Sequence, residues 1–386
     1  MSIWNSPPTQ ADVVIVGGGL MGCSIAYHLA DHGVQCCLFE ANRLASGASG
    51  RNDGQIILET ADYYPRMKAT YGRDAAFRLL DFKRRGQRLM HEFLAPFKDH
   101  SALAYHQQGS LTLAINEAEA RIMETATREM QEDGFEVNLI DRDGIADKIA
   151  TRRFEIGKWD ANDASVNPAE LTRLIASRAR EKGALILEGT PVSQAASGSV
   201  RHAYGETQAE IVILATNAYT AKLLPDFQNL IFPIRGQVLA THPTEIRLPP
   251  IGCITNFGYD YWHWTQDGRL ILGGRRYIDE HGEVGYDDGF VNPKVSQALD
   301  DFAKETYPDL DYTVDQRWSG IMGFSKDGRP LIGPISGDPS FWSAAGFTGY
   351  GLGLCWAVGL AVAQVLNDEK SPLTDILPDF SPSRFA

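Results

Sequence analysis

The chain has 386 residues, 44% of them apolar and 22% charged, which allows two or three domains at about 150 residues each and a large core without disulfide or metal staples. A formal net charge of −13 argues against nucleic acid or an anionic membrane surface as partner. The cysteines Cys23, Cys36, Cys37, Cys253 and Cys355 form no C-x-x-C pair and stand at no metal-ligand spacing with histidine, so they read as small buried hydrophobes in a reducing compartment, with no metal.

The opening MSIWNSPPTQ lacks the apolar stretch of a signal peptide, and a strand begins almost at once at Val13. Gly17, Gly19 and Gly22 follow that strand at G-x-G-x-x-G spacing, a helix is predicted from Leu20 to His32, and QCCLFEA brings a second strand to Glu40. Strand, helix, strand and acid in this order form a dinucleotide site: a tight turn, a backbone open to the pyrophosphate, a helix N-terminus facing it and a carboxylate for a ribose hydroxyl. A glycine- and serine-rich loop, RLASGASGRNDGQI, comes next, then a helical stretch from about Asp62 to Phe97, a strand-like run from Tyr105 to Ile115 and a helix over Glu117 to Asp133. These read as inserted sequence.

Near residue 165 the dinucleotide-type pattern returns. Asn167 can cap, Pro168 can take the first helical position, Glu170 completes a capping box and Gly183 stops the helix. Strands ALILEG and AEIVILAT follow, the second running into Asn217 and Ala218, the kind of strand end where open α/β sheets bind ligands. From Phe232 to Tyr286 the sequence is aromatic and β-rich, and Asp267-Gly268 signals a two-residue hairpin turn. That turn pairs His263 with Leu272, Trp262 with Gly273 and Tyr259 with Arg276. Tyr259, Tyr261, His263 and Arg276 then share one face, and Trp262, Trp264 and Arg275 the other. The last segment carries WSGIMGFSKDGRPLIGP, a strand FWSAA and GFTGYGLG before an apolar helix whose LCWAVGLAVAQVL is too short to span a bilayer. These features predict a cytoplasmic protein with no membrane span.

VVIVGGGLMG with Glu40, GASGRNDGQ, ILATNAYT, FPIRGQ, WSGIMGFSKDGRPLIG and AAGFTGYGLG resemble, in order and over nearly the whole chain, the D-amino-acid oxidase superfamily of FAD enzymes. The resemblance implies an α/β fold with a Rossmann-type FAD-binding domain, residues 11–85, 151–225 and 318–386, interleaved with an α+β substrate domain built on a mixed or antiparallel sheet, residues 86–150 and 226–317. It implies FAD rather than NAD. Gly17, Gly19, Leu20, Met21, Gly22, Glu40 and Ala41 would hold the ADP half, Ser49, Gly50, Arg51, Asn52, Gly54 and Gln55 the pyrophosphate and flavin, and Val192, Ala215, Thr216 and Asn217 would line the cofactor. Gly346, Gly349, Tyr350, Gly351 and Leu352 would set a helix N-terminus against the flavin's pyrimidine edge, where reduced flavin carries negative charge.

Relatives with covalent flavin use a histidine in the first of these loops or a cysteine near the WSG motif; the corresponding residues here are Arg51 and Gly320, which implies dissociable FAD. Where glycine oxidases hold the substrate carboxylate with an arginine, this chain has Met322, which puts a simple α-amino acid such as glycine in doubt. The implied chemistry is hydride removal from a carbon next to an amine nitrogen, delivered to flavin N5, with hydrolysis of the resulting imine and reduction of oxygen to hydrogen peroxide. A dehydrogenase of the same fold that passes electrons to a quinone or partner protein is the alternative, and a non-catalytic FAD-binding subunit of a heteromeric oxidase is a third reading. For the substrate, Tyr259, Tyr261, Trp262, His263 and Trp264 are expected as walls and Arg275 or Arg276 as an anion anchor, with Arg235 a further anchor or a structural ion pair.

Overall fold

The computed structural model describes residues 6–385, which form two compact units. The first holds the chain up to Gly50, Ala169–Pro233 and the chain from Met322; the second holds Arg51–Pro168 and Ile234–Ile321.

In the first unit, Val13 to Val16 are fully or almost fully buried, as a central parallel strand requires. The sheet order is Leu331–Ile335, Asp338–Ala345, Gly205–Leu214, Gln10–Val16, Cys36–Phe39, Leu185–Leu187. The last five run parallel and Leu331–Ile335 is an antiparallel edge. Val14 sits between Val212 on one side and Cys37 on the other. Helix Leu20–Asp31 stops before Gly33, whose φ of 78° suits a glycine just past a helix. It packs against the apolar helix Gly351–Leu366, the Ser24 hydroxyl donating to the Cys355 carbonyl at 2.8 Å. A Cβ on Gly359 would lie 2.9 Å from the Ser24 carbonyl oxygen, so the two helices meet backbone to backbone. All five cysteines are free and buried.

The second unit centres on a sheet ordered Val314–Ser325, Ile231–Thr241, Leu270–Gly274, Asp260–Trp264, Gly252–Thr255, Ser110–Leu113, Ile156–Asp160, Asn138–Asp141. Period-two alternation sends Trp262, Trp264, Leu270 and Leu272 to one face, where they form a core with Leu299 and Phe302 of helix Pro293–Thr306. Tyr261, His263, Ile271 and Gly273 take the other face.

The hairpin register differs from the sequence expectation by one residue. His263 pairs with Ile271, Trp262 with Leu272 and Tyr261 with Gly273, because Gln266, Asp267 and Gly268 all lie in the loop and Thr265 donates its N–H to the Arg269 carbonyl at 2.9 Å. Arg275, with φ 58°, turns out of the strand, so the expected pairing of Tyr259 with Arg276 is not made; Tyr259 accepts the Arg275 N–H instead.

The boundaries between the units fall after 50, 168, 233 and 321 rather than at 85, 150, 225 and 317. The helical stretch explains the first of these differences. It divides at Gly72, φ 84°, into Tyr64–Tyr71 and Arg73–Leu94, and the second helix buries Lys83, Arg84 and Gln87 within the second unit. Arg84 pairs with Asp160, Lys83 donates to the Glu59 carbonyl, and Gln87 donates to Asp163 at 2.6 Å. Strand Ile156–Asp160, beyond residue 150, pairs with Ser110–Leu113 in the same sheet. Among the described residues no helix is long and apolar enough to cross a membrane.

Candidate active site

The carboxyl ends of four parallel strands of the first unit turn into loops along one edge. After Val16, Gly17 takes φ 113°, and a Cβ there would sit 2.7 Å from the Ala215 carbonyl oxygen. A side chain on Gly22 would strike the Gly17 carbonyl. Gly19 is the N-cap of helix Leu20–Asp31 and offers no side-chain cap; the Leu20 N–H is met instead by the Ser49 hydroxyl at 2.8 Å. The first turn, with Met21 in it, has no acidic residue. After Phe39, Glu40 accepts the Gly18 N–H at 2.6 Å and the Asn42 N–H at 2.8 Å, which fixes its carboxylate beside the glycine loop with lone pairs to spare. Ala41 is exposed next to it. Val192 opens strand Val192–Ala196 close by, since Thr190 donates its N–H to the Glu40 carbonyl.

After Leu214, the Ala215 N–H bonds the Val16 carbonyl, Thr216 leads into the next turn, and Asn217 adopts φ 47°. The Asn217 side-chain oxygen accepts the Gly346 N–H at 3.0 Å, tying this strand end to the one after Ala345. Gly346, Thr348 and Gly349 all have positive φ, and Tyr350 is the N-cap of the helix that begins Gly351-Leu352. That helix too has no side-chain cap and no acidic residue in its first turn. Met322 lies against this loop, its Sδ 3.6 Å from where a Gly349 Cβ would stand. Two helix starts with no cap from their own N-cap side chains and a backbone kept clear of side chains suit a ligand with a diphosphate and an electron-rich ring edge. The geometry therefore fits a flavin dinucleotide.

Arg51, Asn52, Gly54 and Gln55 belong to the second unit. The Arg51 carbonyl accepts the Trp318 indole N–H at 2.8 Å and its guanidinium donates to the Ser319 carbonyl at 3.1 Å, so Arg51 and the WSG run meet although 267 residues separate Arg51 from Trp318. The Asn52 side chain accepts the Gly54 N–H at 2.9 Å. On the sheet face opposite the core, Tyr261 lies over Gly273, whose absent side chain makes room for the ring. His263 is 7% exposed, its Nδ1 has no partner, and burial pushes its pKa down to about 4. The Arg276 guanidinium stands 4.3 Å over the Tyr259 ring.

The remaining expected residues are held elsewhere. Trp262 is fully buried in the core, stacked on Phe154, and Trp264 packs beside Tyr307. Arg275 faces Asp260 at 3.5 Å and Glu305 at 3.7 Å. Arg235 is 3% exposed, paired with Glu283 and Asp288 and stacked on Tyr286. Sequence reasoning missed Gly18, where a Cβ would meet the Glu40 Cβ at 2.7 Å; the uninterrupted triple glycine was its signal.

Residues 12–365 match the family of FAD-dependent oxidoreductases called DAO. The chain belongs to this family. FAD is accordingly its cofactor. The chain is 28% identical to gamma-glutamylputrescine oxidoreductase of Escherichia coli over 93% of its own length and 84% of that protein's. The solved glycine oxidase of Geobacillus kaustophilus superimposes with a TM-score of 0.82 at 22% identity, covering 97% of this chain and 98% of that one. L-proline dehydrogenase from P. horikoshii gives a TM-score of 0.84 at 22% identity, covering 98% of each. These structural likenesses establish the fold, a Rossmann-like nucleotide sheet joined to a mixed sheet.

Proposed function

We propose that the chain oxidises the C–N bond of a secondary amine, or of an N-substituted or D-amino acid, giving an imine that water hydrolyses to a carbonyl compound and a smaller amine, with oxygen reduced to hydrogen peroxide. Bound FAD supplies the two-electron acceptor for the hydride that leaves the carbon next to nitrogen. The observation that carries the reading is that relatives of this chain are named for gamma-glutamylputrescine, glycine and proline, each with nitrogen on an oxidisable carbon.

The chain's own residues support it in three ways. The uncapped N-termini of helices Leu20–Asp31 and Gly351–Leu366 hold negative charge on the cofactor. Tyr259, Tyr261 and His263 give a substrate walls that strip water and favour the neutral amine. Trp262 supports that wall from the core side. Arg276 is the better anion anchor of the two neighbouring arginines, because Arg275 already faces Asp260 and Glu305. Five free, buried cysteines fit a reducing, cytoplasmic setting.

The test is anaerobic mixing of the purified yellow protein with N-methyl amino acids, D-amino acids, polyamine conjugates and cyclic imino acids. Bleaching of the flavin band by any of them supports the reading, and no bleaching by the whole panel sinks it. Readmitting air then separates acceptors: fast reoxidation with peroxide supports the oxidase, and slow reoxidation means electrons pass to a quinone or partner protein.

A further inference from the structure

The deeply placed carboxylates of the second unit are nearly all neutralised where they stand. Glu59 pairs with Lys158, Asp160 with Arg84, Glu283 with Arg235 and Asp260 with Arg275. Asp163 has Arg84 at 3.8 Å and accepts from Gln87, Ser110 and the Leu58 N–H. Glu119 accepts from the Tyr63 hydroxyl and from the Ile115 and Phe257 N–H groups. Asp53 also lacks a cation: its one side-chain donor is the Gln55 carboxamide, at 2.5 Å, the Asp53 and Gln55 backbone N–H groups add to it, and among the described residues no Lys or Arg pairs with it. The residue as a whole keeps partial contact with solvent.

Its neighbours are also short of donors. The Gln55 Nε2 lies 3.3 Å from both the Cys253 and Trp262 carbonyls, while its Oε1 is buried without a partner against Gly252, 2.5 Å from where a Cβ would stand. Pairing of Cys253 with Trp262 sets Gly252 opposite His263, whose Nδ1 also has no partner. Gln55 and His263 are each 7% exposed. A carboxylate without a cation, held by a side-chain amide whose oxygen is itself unmatched, is complementary to a cation that carries N–H donors.

We propose that Asp53 is the counter-ion for the ammonium group of the substrate, with Gln55 as the residue that positions it. The assignment rests on the amine reading above: the substrate docks as a cation, and its ammonium gives up a proton, to the Asp53 carboxylate or to solvent, before hydride leaves the neutral amine. Removal of water by the surrounding protein pushes the Asp53 carboxyl up to about 6, so the charge that receives the ammonium is present at pH 7.5 and mostly absent at pH 5. Cys253 is the titratable side chain that faces Asp53, and burial holds its thiol protonated throughout this range. His263, pushed down to about 4, stays neutral across it.

The probe is tert-butylammonium, which has no hydrogen on the carbon bearing nitrogen and cannot be oxidised there. Its binding to the FAD-loaded protein is followed by flavin absorbance and by calorimetry, with tert-butanol as the uncharged control. The expected results are saturable binding that tightens about tenfold from pH 5 to 7.5, following ionisation of a group near 6, and no binding of tert-butanol. Asp53→Asn should weaken binding at least about tenfold at pH 7.5 and flatten the pH dependence at unchanged FAD content, with Asp53→Glu recovering part of it. Binding by Asp53→Asn within twofold of the native protein overturns the proposal, as does failure of the native protein to bind. If Asp53→Asn does not hold FAD, the native pH profile decides, and a flat one overturns the proposal. Probe binding without oxidation of any amine keeps this site and rejects the functional reading; amine oxidation indifferent to Asp53 does the reverse.

Discussion

At the scale of single residues, the nucleotide edge depends on Gly22 having no side chain, because a Cβ there meets the Gly17 carbonyl head-on. Gly22→Val should therefore cost about 1–3 kcal/mol locally and lower FAD affinity about tenfold or more, read as the ratio of flavin to protein absorbance after gel filtration; full flavin content would refute the role. His263 makes a pH-dependent contribution whose sign is fixed by its pKa, which burial lowers from 6.5 to about 4. The neutral ring is favoured in the folded state, so this stability is present above pH 6.5 and is lost as pH falls toward 4. His263→Phe should flatten the loss of thermal stability between pH 6.5 and 4 by up to about 3 kcal/mol, and an unchanged slope in melting temperature against pH would exclude the effect. The glycines, Glu40 and Asn217 were legible in the sequence because each acts within a few residues of a strand end. Asp53 was not, because what singles it out is the lack of a cation around it in space.

Between elements, the contact of helix Leu20–Asp31 with helix Gly351–Leu366 sets both helix starts at once. Gly359→Leu would push the Ser24 backbone away and should destabilise by about 1–3 kcal/mol, with flavin content falling alongside the melting temperature. A drop in melting temperature with full flavin content would uncouple the two. The segment from Arg276 to Phe290 is held by Arg235, whose removal strands Glu283, a residue with no exposed surface. Arg235→Met should cost about 3–5 kcal/mol in thermal unfolding, and Glu283→Gln added to it should recover part; equal losses in single and double variants would show that the pair is not the cause. Strand alternation revealed which hairpin residues share a face, but not which face meets the core, since aromatic residues occupy both. The register slipped by one because Asp267-Gly268 carries a two-residue turn signal inside a three-residue loop. The pairing of Arg235 with Glu283 joins residues far apart in sequence and leaves no local trace.

For the whole molecule, family membership and the interleaved order of segments were readable from motifs spread along the chain, whereas the unit boundaries were not. Lys83, Arg84 and Gln87 look like a solvated helix face in sequence, yet they are buried with Glu59, Asp160 and Asp163 as partners. The resemblance puts Arg51 and Gly320 where covalent relatives attach flavin, which implies that acid precipitation leaves the yellow colour in the supernatant; colour in the pellet would refute dissociable binding. Removing FAD should lower the melting temperature, because a ligand at 100 times its Kd stabilises by about 2.7 kcal/mol, and added FAD should restore it. Gln10–Val16 lies beside Gly205–Leu214, which in turn lies beside Asp338–Ala345. A ribosome making this protein must deliver the chain from Gln10 through Ala345 before all three strands can stand side by side. The strand ends that face the nucleotide loops are therefore brought together only by a chain that has already travelled out to its second unit and back twice.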